Sequence, residues 1–365
     1  MRSAASGSGF YRSLPMSADS QHLSEEEDRV NVKRKGLRIA LAVAVGFSWM
    51  VYSGAIIPFL GPLFAAQFLI SSSRPMPIQK ALAITVFILV VGAFLQFVTV
   101  LTGDRPPVLL LLLGLIYFGC FYQQANGKGG PTIFVILVFA VMVPLLTILN
   151  EDLGDTILSI LVQSVVTGML LMWMATVLIP DKGSAPLKAG VAKTYPRAAR
   201  YAIANTAILL LAVVACLTRD GLETAIVIPI TVVSLLSQFD ATASTRAALG
   251  IVITNIAGGL AACVAFTLVQ LRPSHISIFL VVLLAGLVFG GRAAMREPAA
   301  KLSAGALTIF LLVFGTGVSP IPGSAADSFS TRVTYILVAI GYALFMTTLL
   351  WPKQEGSRDR MLVSG

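Results

Sequence analysis

Residues 62–131 read PLFAAQFLISSSRPMPIQKALAITVFILVVGAFLQFVTVLTGDRPPVLLLLLGLIYFGCFYQQANGKGGP. The chain states this pattern twice. A shift of 167 positions, with no gap, brings Pro62 onto Pro229, Gly92 onto Gly259, Arg105-Pro106 onto Arg272-Pro273, Gly119 onto Gly286 and Pro131 onto Pro298. Prolines are 18 of 365 residues, so the six in this window would meet a proline by chance about 0.3 times, against three found; self-similarity of this kind implies repeated architecture. Both copies are strongly apolar. In membranes such repeats place a transport path at the interface between the halves.

Composition sets the class. Of 365 residues 56% are hydrophobic and 12% charged, and the mean hydropathy is +0.87, far from the roughly 25% charge of soluble domains. This is the composition of an integral membrane protein. The formal charge of +9 does not point to nucleic acid, because the bases stand between apolar runs instead of on one basic face. Cys120, Cys216 and Cys263 lie inside apolar segments without CxxC spacing, and read as small packing residues.

Spans of about 17 to 25 apolar residues cross a bilayer as helices, since lipid offers no partner to backbone polar groups. Six such runs fall in the first copy: Leu37 to Ser53, Ala55 to Ser71, Ile78 to Leu101, Pro107 to Tyr122, Pro131 to Leu149 and Thr156 to Ile179. Six more follow: Ala198 to Leu217, Leu222 to Phe239, Ala247 to Leu271, Ile276 to Gly291, Ala299 to Val318 and Arg332 to Trp351. The first two runs are divided at Ser53-Gly54.

The fold expected is therefore all-α, with about 12 transmembrane helices in two parallel six-helix repeats. Its organisation is a disordered cytosolic tail over 1–35, a first unit over 36–180, a cytosolic linker over 181–197, a second unit over 198–352 and a cytosolic tail over 353–365. Met16 serves equally well as a start. The first apolar run begins only at Leu37, which does not fit a secretory signal.

Loop charge gives the orientation. Lys33, Arg34, Lys35, Arg74, Lys128 and the Lys and Arg residues of the linker fall on one side, and Glu151, Asp152, Asp155 and Asp327 on the other. Basic loops stay in the cytoplasm, so both termini are expected inside. An even number of spans per copy makes the repeats parallel, related by an axis along the membrane normal. Trp173, Trp351, Tyr122 and Tyr335 sit near span ends as interfacial anchors.

Further residues carry a resemblance. The stretch Lys35-Gly36-Leu37-Arg38-Ile39-Ala40-Leu41, then Pro58-Phe59-Leu60-Gly61-Pro62-Leu63-Phe64-Ala65, then Lys80 and Gly92 in the third helix, with the six-plus-six layout, resemble the fusaric acid resistance protein-like superfamily, which includes the bacterial aromatic acid exporters. The resemblance covers roughly Leu37 to Pro352. It implies efflux of small organic anions, often aromatic carboxylates, across the bacterial inner membrane, with a periplasmic adaptor of the membrane-fusion type as partner. The linker here is shorter than the cytosolic domain that the longer exporters carry between their six-helix units.

Polar groups inside the spans are sparse. Gln67, Gln96, Gln163, Asn205 and Asn255 fall within them, and no Asp, Glu or Lys falls near a midplane. Asn255 shares a helix with Gly250, Thr254, Gly258 and Ala262, a small-residue stripe; it reads either as glue in a packing seam or as a polar lining of the path. Gln67 follows Pro62, whose twin is Pro229, and these prolines read either as helix kinks or as breaks lining a cavity. Arg105 and Arg272 coincide under the shift on the base-poor side, and Lys80 and Arg246 mark the starts of the paired third and ninth helices. Cationic rings at both mouths would select an anion by its sign.

An enzyme is not expected. The histidines are His22, in the tail, and His275, at a span start, and the spans hold no paired carboxylates, HExxH or phosphate loop. Neither cofactor nor metal is called for. Besides an exporter, a passive anion channel and a structural or assembly protein of the membrane fit the same residues, because proton coupling usually needs an ionisable group inside the membrane.

Overall fold

A computed structural model describes residues 18–71, 75–128, 130–149, 151–180, 198–218, 227–238, 245–295, 299–319 and 329–350. Regular structure within them is helical. The helices are α1 (Ala18–Tyr52), α2 (Leu60–Ser71), α3 (Ile78–Thr102), α4 (Pro106–Gln123, extended by a π turn over Gln124–Lys128), α5 (Pro131–Leu149) and α6 (Glu151–Leu178). They are followed by α7 (Ala198–Leu217), α8 (Val227–Gln238), α9 (Thr245–Leu271), α10 (His275–Ala285, continued by a π turn over Gly286–Gly290 and by Gly291–Ala293), α11 (Ala299–Val318) and α12 (Phe329–Leu350).

Among the described residues eight helices are long and apolar enough to cross a membrane, with mean hydropathies from 1.3 to 2.6. The expectation of about twelve helices therefore holds in number, with eight of them long and apolar enough to span over their described residues. Shorter apolar stretches make up the rest: Leu60–Ser71, Ile228–Ser237, Leu302–Val318 and Leu337–Leu350. The linker over 181–197 and the tails over 1–17 and 353–365 lie outside the described residues.

Two boundaries show local chemistry at work. The break at Ser53-Gly54 is where α1 ends: Gly54 takes a φ of 70°, its N–H donates to Val51 O at 3.1 Å, and that of Ala55 donates to Met50 O at 3.0 Å. This pair of bonds is the Schellman cap, which needs a left-handed residue and so favours glycine. The other end of α1 corrects the sequence reading, since the helix begins at Ala18, inside the stretch taken as a disordered tail. Glu25 and Arg29 stand four apart, a spacing that supports a helix, and Gln, Glu, Arg and Lys in this stretch are good helix formers.

Burial divides the helices into an inner and an outer set. In α5 every residue from Leu137 to Leu146 is buried, Pro144 included, and α11 is buried likewise from Leu307 to Phe314. α2 buries nine of its twelve residues. By contrast only 28% of the α3 and α4 spans, 28% of the α9 span and 33% of the α10 span is buried. Their outward faces carry Phe97, Leu111, Val264 and Leu284, all more than half exposed. Apolar surface on this scale is out of place in water and in place against lipid.

Between the first six helices and the last six, α1 packs on α10, α4 on α7, α2 on α11 and α5 on α8. Small residues allow the closest crossings. A Cβ on Gly36 of α1 would lie 2.8 Å from Gly291 Cα beyond the π turn of α10, too close for any other residue, so the two backbones touch directly.

Candidate functional site

The site is built around α2 and α8. Each has twelve residues and a buried proline as its third, Pro62 and Pro229. The kink reading of Pro62 is corrected: a residue in the first helical turn has no intrahelical N–H bond to lose, so proline fits there without bending the helix; the residues before Val227, which bear on Pro229, lie outside the described ones. At about 1.5 Å per residue α2 extends only about 18 Å, against a hydrocarbon core of about 30 Å. Both are held inside the bundle, α2 against α1 and α6, α8 against α7, α11 and α12.

Gln67 is the polar side chain in the body of α2, and it is partly exposed although the residues beside it are buried. Its Nε2 donates to Thr308 Oγ1 on α11 at 3.1 Å, and the Thr308 hydroxyl donates in turn to Ala304 O at 3.0 Å. Gln67 thus joins the first six helices to the last six. Its counterpart under the repeat shift, Ser234 of α8, is buried.

Asn255 is fully buried on α9, on the same face as Gly258 and Ala262. That face is pressed on α11, because a Cβ on Gly258 would collide with the backbone of Ala306. The packed stripe is therefore Asn255, Gly258, Ala262 and Ala265, and not the four-residue series from Gly250. A helix turns once in 3.6 residues, so a strict spacing of four drifts off the contact. Thr254 falls off it, partly exposed, its hydroxyl returned to Gly250 O at 2.6 Å.

The basic pairs lie elsewhere. Arg105 and Arg272 are exposed, in the α3–α4 and α9–α10 turns. Arg105 is the N-cap residue of α4 but makes no side-chain cap. α4 docks on α7 and α10 on α1, so each arginine stands at the start of a helix that packs on the first helix of the other set of six. Lys80 is exposed in the first turn of α3. Arg246 lies in the first turn of α9, and its side chain is outside the described residues.

A different set of polar side chains binds carbonyls at helix C-termini: Lys35 and Arg38, which the sequence offered only as part of a resemblance and, for Lys35, as a loop charge, and Gln124. Lys35 Nζ donates to Ile70 O at 2.9 Å, at the C-terminus of α2. Arg38, 2% exposed, donates through Nε to Ile179 O at 2.6 Å, at the end of α6. On the other side Gln124 Nε2, in the π turn of α4, reaches Ser237 O at the end of α8 at 3.4 Å. Terminal carbonyls lack helical partners and carry partial negative charge, so cations and amides are favoured there. The signal in the sequence was an arginine set just inside an apolar run. Trp173, expected as an anchor, donates from Nε1 to Met76 O at 2.9 Å.

Among the described residues no group of three His, Cys, Asp or Glu side chains comes together in the way a metal would need. Helix length and hydropathy define a multi-pass helical membrane protein. Compared with known proteins, the chain matches no protein-family model, no curated protein and no solved structure.

Proposed function

We propose that this protein is a transporter that exports small organic anions, aromatic carboxylates among them, across the cell inner membrane, and that it arose by tandem duplication. The observation that carries the reading is the pair of helices α2 and α8, each with a buried proline at the matching place. Short or proline-interrupted apolar segments at corresponding places in two halves are the best pointer to a transport site, and the repeat shift carries Pro62 of α2 onto Pro229 of α8.

The packing supports the duplication. In a six-plus-six layout the contact of α1 with α10 is answered by that of α4 with α7, and the contact of α2 with α11 by that of α5 with α8. Ile70 O and Ser237 O, matched by the repeat shift, each accept a side-chain hydrogen bond. The path in this reading runs between the halves beside Gln67 and Thr308, with both termini cytoplasmic and the repeats parallel. The anionic substrate class rests on the resemblance to the aromatic acid exporters and on the cationic residues near the inner ends, Lys35 and Arg38. A periplasmic adaptor is the expected partner on the same resemblance.

Transport of a labelled aromatic carboxylate into inverted vesicles, with and without a proton gradient, tests this. Gradient-dependent accumulation is expected. Equilibration that ignores the gradient would mean a channel, and absence of movement for a panel of carboxylates would overturn the reading.

A further inference from the structure

α5 carries a proline, Pro144, within its buried stretch. Proline has no N–H, so the carbonyl four residues earlier loses its helical partner. Here that carbonyl belongs to Ala140, and another helix takes it up: Tyr117 Oη on α4 donates to Ala140 O at 3.1 Å. Tyr117 and Ala140 are both fully buried.

One turn past the proline stands Thr147, whose hydroxyl is buried without a partner. Thr206 of α7 shares this condition, but other threonines of the bundle behave differently. Thr99, Thr102, Thr254 and Thr308 each return the hydroxyl to the carbonyl four residues back. A buried polar group left unsatisfied calls for a physical cause, and stored strain or a second arrangement is one. Under the repeat shift Tyr117, Ala140, Pro144 and Thr147 fall on Leu284, Leu307, Leu311 and Phe314. The tyrosine, the proline and the threonine are thus present together in one half and absent together from the other.

We infer that Pro144 and Tyr117 form a hinge and its latch, a conformational device confined to the first half. The leg of α5 from Leu145 to Leu149 swings about Pro144, and the Tyr117 hydroxyl holds the hinge in the position described here. Release breaks the bond to Ala140 O and lets the Thr147 hydroxyl reach a new partner. Because α5 packs on α8, the swing moves the contact between the two sets of six helices. The hinge works without reference to any transported substrate. A static kink is the alternative, since freed carbonyls in membrane helices are often re-satisfied by a neighbour with no motion at all.

Hydrogen exchange of the full chain in lipid nanodiscs separates these. Tyr117→Phe should speed exchange over residues 145–149 by roughly tenfold while leaving α11 unchanged, the size expected from one lost hydrogen bond. Pro144→Ala should slow exchange there and, in the double variant, cancel the effect of Tyr117→Phe, because the new N–H returns to Ala140 O. A rise spread evenly over all helices, no rise at all, or a local rise that persists in the double variant would overturn the hinge. Should Tyr117→Phe fail to fold, Pro144→Ala against wild type decides. Slower exchange confined to 145–149 supports the hinge, and unchanged exchange refutes it.

Discussion

Gln67 of α2 donates a hydrogen bond to Thr308 of α11 across 241 residues of chain, at 3.1 Å, and so ties the two sets of six helices at their interior. Interhelical bonds of this kind in membranes are worth about 0.6 kcal/mol on average and rarely more than about 1.7. Gln67→Leu and Thr308→Val should each lower stability by about 1 kcal/mol. Together they should cost little more than either alone, because the second substitution has no bond left to break. Unfolding in mixed detergent micelles gives the three values, and simple additivity would show that the two side chains do not act as a pair.

The crossing of α9 and α11 supplies a matched pair of glycines. Gly258 faces the backbone of Ala306, whereas the nearest atom to a Cβ on Gly259 is Ile309 Cγ2 at 4.0 Å. Gly258→Ala should cost about 1–3 kcal/mol as overpacking. Gly259→Ala should be neutral or slightly stabilising, since alanine is the better helix former. Melting of a fluorescent fusion in detergent ranks the two, and equal melting temperatures would put the α9–α11 contact elsewhere.

Arg38 is buried at the end of α6 and holds Ile179 O. Arg38→Ala removes a charge-assisted bond of about 1.5–3 kcal/mol and leaves a carbonyl exposed at a helix terminus. Arg38→Lys keeps the charge for the terminal carbonyls but not the planar donor set, so it should recover only part of the loss. Lys35→Ala, which frees Ile70 O on a partly buried side chain, should cost less than Arg38→Ala. The order of stabilities in the same detergent assay checks all three, and a harmless Arg38→Ala would remove the arginine from the frame of the bundle.

The proposed topology puts Gly190, in the linker, and Gly356, near the C-terminus, on the cytoplasmic side. With the native cysteines replaced, Gly190→Cys and Gly356→Cys should resist a membrane-impermeant thiol reagent in intact cells and react once the cells are opened. Labelling of Gly190→Cys from outside would break the parallel six-plus-six layout, because an odd number of crossings would then precede the linker.

The sequence alone determined what depends on neighbours along the chain. Apolar run length located the helices, and loop punctuation located their breaks, including the turn at Gly54, whose conformation is a local property of a residue without Cβ. What lies between helices was not legible in this way. A polar residue in a span reads the same whether it meets lipid, a cavity or another helix, so Gln67 could be noticed but its partner Thr308 could not.

Only the tertiary structure decided those pairings, because they depend on the rotation and depth at which one helix meets the next. It turned α9 so that Asn255 and Gly258 share the contact with α11, and set Pro62 in a first turn where it bends nothing. It also buried Arg38, which the sequence had placed only at the entry of the first span. Pro144 was visible as a residue in an apolar run, but the carbonyl it frees is satisfied by Tyr117 from another helix. Backbone groups inside lipid must find partners within the protein, and that requirement, invisible along the chain, fixed which side chain stands beside which carbonyl.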